Sequence, residues 1–151
     1  ILVRCESGCG EESYWNVPNT AFYTLDVDMT TLTMNISVSD IENVWMIGDA
    51  TAGGWSWDKV TLMNRVSDGV FTFTGSLVAG QIKFPLEIRT DWAGFFIVAT
   101  ANGTPAKGKT PINIVSNIPA DESLDRKWKV ESPGTYTITI NLSEMTVEFE
   151  Q

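Results

Sequence analysis

The strongest constraint on the fold lies near the C-terminus, where the chain changes character at every second residue. Tyr136, Ile138, Ile140 and Leu142 interleave with Thr135, Thr137, Thr139 and Asn141. Met145, Val147 and Phe149 interleave with Thr146, Glu148 and Glu150. Successive side chains of a strand point to opposite faces, so this pattern predicts two strands, each with one buried and one solvated face. Ser143 and Glu144 lie between the two runs and predict a hairpin turn.

The same unit occurs earlier in the chain. Residues 14–36 align without a gap onto residues 127–149, placing Trp15 on Trp128, Val17 on Val130, Tyr23 on Tyr136, Thr24 on Thr137 and Thr33 on Thr146. The apolar positions keep register: Leu25 with Ile138, Val27 with Ile140, Leu32 with Met145, Met34 with Val147. Two unrelated hairpins would share the alternation but not the tryptophan and tyrosine. A repeat of domain-sized period predicts tandem modules. Residues 1–40 then read as the closing β-hairpin of an upstream module, or as extra N-terminal strands of the same sandwich. Residues 41–151 read as a complete module.

Further strands are expected at 44–47, 70–77, 81–88 and 95–99. Asp68-Gly69 and Ala79-Gly80 supply turn chemistry between them. Segments 101–109 and 118–126 read as loops, and no segment has the periodicity of an amphipathic helix. Many short strands with frequent turns predict an all-β, immunoglobulin-like two-sheet β-sandwich.

Composition removes several functions. The chain has 151 residues, of which 43% are hydrophobic and 19% charged, enough for one domain with a real core. No apolar run approaches the length of a bilayer span, so direct membrane insertion is not expected. No signal peptide is visible in the sequence, which opens directly with Ile1-Leu-Val-Arg-Cys, so either such a segment was removed or the chain is a piece of a longer one. A net charge of −9, with ten scattered basic residues, opposes nucleic acid and anionic membrane as partners. There is no histidine, which removes the commonest general base, the usual metal ligand and every Ser-His triad. Cys5 and Cys9 are too few for a four-ligand zinc site, and a local disulfide between them fits only an oxidising compartment. Arg4 before Cys5 opposes a lipid-attachment site there. No metal or cofactor is expected. Asp and Glu are plentiful, but nothing pairs two carboxylates as glycoside hydrolysis requires, so the chain reads as non-catalytic.

The residues that could bind a ligand are aromatic. An apolar strand at 44–47 runs into Gly-Asp-Ala-Thr-Ala-Gly-Gly-Trp-Ser-Trp, which presents Trp55 and Trp57 among residues too small to bury them locally. Such rings either fold back over the sandwich end or offer a flat face to a ligand such as a sugar ring. Trp92 lies in the surface turn Asp91-Trp-Ala-Gly, while Lys83 or Arg89 could donate to sugar hydroxyls. The plain alternative for Lys83 is a solvated strand residue. Trp57 either caps the core or forms a second platform. Asp49 and Asp58 flank the turn, where local turn formation is their commoner role. Trp45, inside an apolar strand, reads as core, and Trp15 and Trp128, at equivalent repeat positions, read as architectural. A glycan site of this size would bind at roughly 10⁻⁵ to 10⁻³ M, because desolvated hydroxyls offset much of the contact.

Several spaced motifs carry a family resemblance. They are the stretch at 44–55, Asp68-Gly-Val-Phe-Thr-Phe-Thr-Gly-Ser-Leu-Val-Ala-Gly80, Ile82-Lys-Phe84, Asp125-Arg-Lys-Trp-Lys-Val130 and Gly134-Thr-Tyr-Thr-Ile-Thr-Ile140 through Met145-Thr-Val147. Together they resemble modules of SusE/SusF-type outer-membrane proteins over residues 41–151. The resemblance implies a surface lipoprotein of a starch-utilisation system in gut bacteria. It would be held at the outer membrane by an upstream lipid anchor, beside a TonB-dependent transporter, and would bind oligo- or polysaccharide, α-glucan above all, without cleaving it. The order Gly-Trp, Lys-Phe, downstream Trp is also similar to the glucoamylase-type starch-binding domain, where two tryptophans and the lysine form the site. Carried over, that gives Trp55, Lys83 and Trp92. Pro85 is expected to bend the strand or end its pairing. The competing reading is a structural immunoglobulin-like spacer without a ligand site of its own. The first reading requires Trp55 and Trp92 exposed and adjacent, the second requires both rings packed inward.

Overall fold

The computed structural model describes residues 23–38, 40–117 and 122–151. Cys5, Cys9, Trp15 and Val17 lie outside the described residues. The chain divides into two compact units between Asp40 and Ile41.

In the first unit, β1 (Tyr23–Asp28) and β2 (Thr33–Val38) pair antiparallel from Tyr23↔Val38 to Asp28↔Thr33. Asp28 Oδ1 closes the turn by accepting the N–H groups of Thr30 at 2.8 Å and Thr31 at 3.2 Å. Leu32 returns the chain through a left-handed φ of 55°.

The second unit contains β3 (Trp45–Met46), β4 (Thr61–Leu62), β5 (Asn64–Ser67), β6 (Val70–Leu77), β7 (Gly80–Ile82), β8 (Phe84–Pro85), β9 (Phe95–Ala99), β10 (Thr104–Pro105), β11 (Gly108–Ser116), β12 (Trp128–Val130), β13 (Gly134–Asn141) and β14 (Thr146–Glu150). The larger sheet runs β5-β6-β13-β14-β11-β9-β8. The smaller runs β10-β12-β7, and the β3-β4 pair joins it through an Ile47–Lys83 bridge. Helical structure among the described residues consists of two 3-10 turns, Trp57–Lys59 and Glu122–Leu124. Among these residues no helix is long and apolar enough to cross a membrane.

The alternation at 135–150 works as the sequence implies. Tyr136, Ile138, Ile140, Val147 and Phe149 are buried, and so is Phe71 on the neighbouring β6. Ile82, Trp128 and Val130 of the smaller sheet share the same core. Two sheets burying one set of side chains between them make the β-sandwich. Trp128 is 0% exposed, with its ring centroid 5.4 Å from Phe84 and 6.0 Å from Phe149. Its indole N–H donates to Thr110 Oγ1 at 3.1 Å, so the buried polar atom is satisfied. Tyr136 Oη donates to the Ser132 carbonyl at 2.8 Å, the tyrosine-corner contact of immunoglobulin-like sandwiches.

The hairpin is shorter than its alternation suggests. Leu142 and Met145 belong to the turn, because Asn141 Oδ1 accepts the N–H groups of Ser143 and Glu144 and Met145 has a φ of 52°. These features match the first unit position for position. Asp28 stands for Asn141 and Leu32 for Met145, and Leu25↔Ile36 has the register of Ile138↔Phe149. Burial differs. Ile138 and Ile140 are fully enclosed, whereas Leu25 is 44% and Val27 53% exposed.

The strands at 70–77 and 95–99 form as expected. The one expected at 81–88 does not run through. At Lys83 the chain leaves the smaller sheet, Phe84 and Pro85 join β9 in the larger one, and residues 86–94 form a loop. Pro85 has no N–H to extend a ladder. The nine-residue β11 was not legible. Its first residues, Gly108 and Lys109, fall in the segment expected as a loop, and Pro111 sits where the strand passes from β14 to β9. The loop expected at 101–109 also contains β10.

Candidate functional site

The two glycines before Trp55 have separate tasks. Gly48 N–H donates to the Gly54 carbonyl at 3.0 Å, and Gly54 N–H donates to the Thr51 carbonyl at 3.1 Å. A Cβ on Gly53 would lie 2.1 Å from the Lys59 carbonyl oxygen, and Gly54 has a φ of 61°. A side chain is excluded at the first position and disfavoured at the second. Asp49 Oδ1 accepts the Gln81 N–H at 2.5 Å, clamping this turn to β7. Trp55 leaves the turn half-buried, and Trp57 opens the following 3-10 turn.

Trp92 stands on the 86–94 loop. Arg89 forks onto Asp91, with Nε to Oδ1 at 3.1 Å and an η nitrogen to Oδ2 at 2.7 Å. Asp91 Oδ1 also accepts the Ala93 N–H, and Asn117 Nδ2 donates to the Trp92 carbonyl at 2.8 Å. These bonds hold Trp92 at a φ of 59°, a left-handed conformation uncommon for a bulky side chain.

The turn and the loop meet beside the strand switch. The Trp55 and Trp92 ring centroids lie 6.2 Å apart at an interplanar angle of 55°. Trp57 packs against Trp92 at 4.8 Å and lies 6.3 Å from Phe96, so it supports Trp92 from behind. Trp55, Gln81, Lys83, Trp92, Asp125 and Lys127 line an open cleft of ≈ 360 Å³. Antiparallel pairing of Trp128 with Ile82 brings residue 127 beside residue 83. Asp125 bridges the two lysines: Oδ1 accepts from Lys83 Nζ at 2.6 Å and Oδ2 from Lys127 Nζ. Lys83 Nζ also lies 4.4 Å from the Phe96 centroid and 5.1 Å from that of Trp92, and Lys127 Nζ lies 5.7 Å from that of Trp55. Each ammonium is within cation–π range of an indole.

Burial sets the electrostatics. The Lys83 side chain is 6% exposed, that of Lys127 16% and that of Asp125 36%. Burial pushes the Lys83 ammonium below its usual lysine value, opposed by the hydrogen bond and charge of Asp125. Burial disfavours the Asp125 carboxylate, but hydrogen bonds from Lys127 and Lys83 outweigh it and hold the group below the ordinary 3.8. The stability Asp125 contributes is therefore complete above its unfolded value and lost as pH falls through the lower, folded one. Urea unfolding across the acid range is expected to show less pH dependence for Asp125→Asn than for the wild type. An equal slope in both would remove Asp125 from the acid limb. Lys83→Met removes a buried charge, keeps the stem volume and leaves the 36% exposed Asp125 paired with Lys127. It is expected to leave stability within about 1 kcal/mol of wild type, or to raise it, in the same urea assay.

The structure brings Trp55, Lys83 and Trp92 to one cleft, with Trp57 behind them. Arg89 lies outside the cleft lining, in its ion pair with Asp91. Trp45, expected in the core, is half-buried on β3, while its neighbour Met46 is enclosed. Asp125, Lys127, Gln81 and Phe96 were missed. The signal for Lys127 was the alternation around Trp128, which turns residues 127 and 129 away from the core. Nothing local marks Asp125.

A sandwich with angled indoles and a polar rim at one edge has the build of a carbohydrate-binding module. The family model described as SusF/SusE starch specific CBMs matches residues 43–148, and the chain belongs to that family of starch-binding modules. No curated protein and no solved structure matches the chain in the corresponding comparisons.

Proposed function

We propose that residues 41–151 bind α-glucan without cleaving it, on the bent surface formed by Trp55 and Trp92. The observation that carries this reading is the adjacency of the two half-exposed indoles, 6.2 Å apart at 55°, over one open cleft. The C–H face of a glucose ring covers an indole, and two tilted indoles follow the curve of an α-1,4-linked chain. Lys127 and Gln81 supply donors and an acceptor for the hydroxyl edge. Membership of a family of carbohydrate-binding modules supports binding without cleavage. A spacer without a site would need both rings packed inward. Family membership supports a place at the cell surface, on the outer membrane through an upstream lipid anchor and beside a TonB-dependent transporter.

Affinity electrophoresis tests the reading. Retardation is expected in gels containing soluble amylopectin, with loss of it in Trp55→Ala and Trp92→Ala. An unretarded wild type, or variants retarded as strongly as wild type, would overturn it.

The hairpin at residues 23–38 reads best as the closing hairpin of another sandwich of this kind. Its register and turn copy those of β13–β14. A chain limited to residues 41–151 should then unfold at the same urea concentration as the full chain. A lower midpoint would instead place the hairpin in this sandwich.

A further inference from the structure

Three charges lie in a row beneath the indoles, and the carboxylate is in the middle. Asp125 accepts from Lys83 with one oxygen and from Lys127 with the other. Lys83 reaches the rings of Trp92 and Phe96, while Lys127 reaches that of Trp55. Trp55 and Trp92 come from separate loops, so the lysine–aspartate–lysine bridge is a polar tie between the two ring faces. We propose that Asp125 is the positioning residue of the cleft: by holding both ammonium groups at once it sets the separation and tilt of Trp55 and Trp92. This rests on the reading of the cleft as a glycan site.

The chemistry follows from the two lysines. Lys83 is enclosed and cannot leave its place, so its ammonium needs a counter-charge there. Without that carboxylate the two cations would repel at close range. Lys127, the more exposed, would keep only its 3.2 Å bond to the Asp125 backbone carbonyl and loosen its hold on Trp55. Lys83 therefore acts through Trp92 and Asp125 rather than as the donor to sugar, and Lys127 is the ammonium at the sugar edge.

The test compares wild type, Asp125→Asn, Asp125→Glu and Lys127→Met. It reads retardation by soluble amylopectin, and separately the tryptophan exciton couplet in circular dichroism without ligand. Asp125→Asn is expected to weaken retardation roughly tenfold, the loss of a charge-assisted bridge, and to shrink the couplet. Asp125→Glu should recover part of both. If Asp125→Asn does not fold, Lys127→Met breaks one arm of the bridge while leaving Lys83 paired, and the ligand-free couplet should shrink in a folded protein; its retardation falls in any case, because Lys127 also meets the sugar edge. A couplet and retardation unchanged in the folded variants would overturn the proposal. An unretarded wild type would sink the glycan reading, and the couplet would still decide whether Asp125 positions the rings.

Discussion

Replacing Trp92 by alanine is expected to abolish measurable retardation by α-glucan while the sandwich stays folded. Trp92 sits at the centre of the aromatic surface, with Trp55 at 6.2 Å on one side, Trp57 at 4.8 Å behind it and the Lys83 ammonium at 5.1 Å. Its loss removes half of the proposed sugar platform and uncovers a buried cation. Central aromatic anchors of this kind are worth about 2 kcal/mol or more on truncation, roughly thirtyfold in affinity. For a site that binds weakly, that is enough to take retardation below detection. The fold should survive, because Trp92 stands on a loop and is only half-buried. Calorimetric titration with a soluble maltooligosaccharide gives the magnitude. A loss under threefold would mean that another surface carries the binding.

Replacing Trp128 by alanine should do the reverse, collapsing stability through the core. Its ring is wholly enclosed, touches Phe84 and Phe149, and satisfies its own N–H on Thr110. Truncating a buried aromatic to alanine costs about 3–5 kcal/mol, from lost transfer energy and the cavity left behind. That is a large part of the margin of a domain this size. Urea unfolding followed by far-ultraviolet circular dichroism should show the midpoint falling steeply with the slope retained. A midpoint near that of wild type would mean that Phe84 and Phe149 close the space. Trp128→Phe separates the two components, since it keeps most of the ring but strands the Thr110 hydroxyl.

These two tryptophans show what was legible. Trp128 falls in an alternating strand and has a repeat partner, so its inward face follows from local pattern. Trp92 could be placed only on a surface turn. Its left-handed backbone depends on Asn117 and on the Arg89–Asp91 pair, contacts across the loop that no local spacing announces. Arg89 illustrates the limit. The sequence offered it in place of Lys83 as a sugar donor, whereas the folded chain sets it outside the cleft lining, forked onto Asp91 two residues away. The nine-residue β11 was hidden for a related reason. Proline and glycine usually break pairing, whereas here Pro111 marks a change of partner.

By itself the sequence determined the all-β class, the hairpin with its buried face, the repeat of that hairpin pattern and the family, because all of these rest on side chains close along the chain. The period of two is a property of the extended backbone and needs no distant contact. Tertiary structure alone decided the site. A single exchange of sheets at Lys83 places residues 48–55, 86–94 and 125–127 against one another. It also buries the lysine that a solvated strand would have exposed, and so makes one distant carboxylate its partner. A buried charge takes whatever counter-charge the packing brings to it, and only the folded chain shows which residue that is.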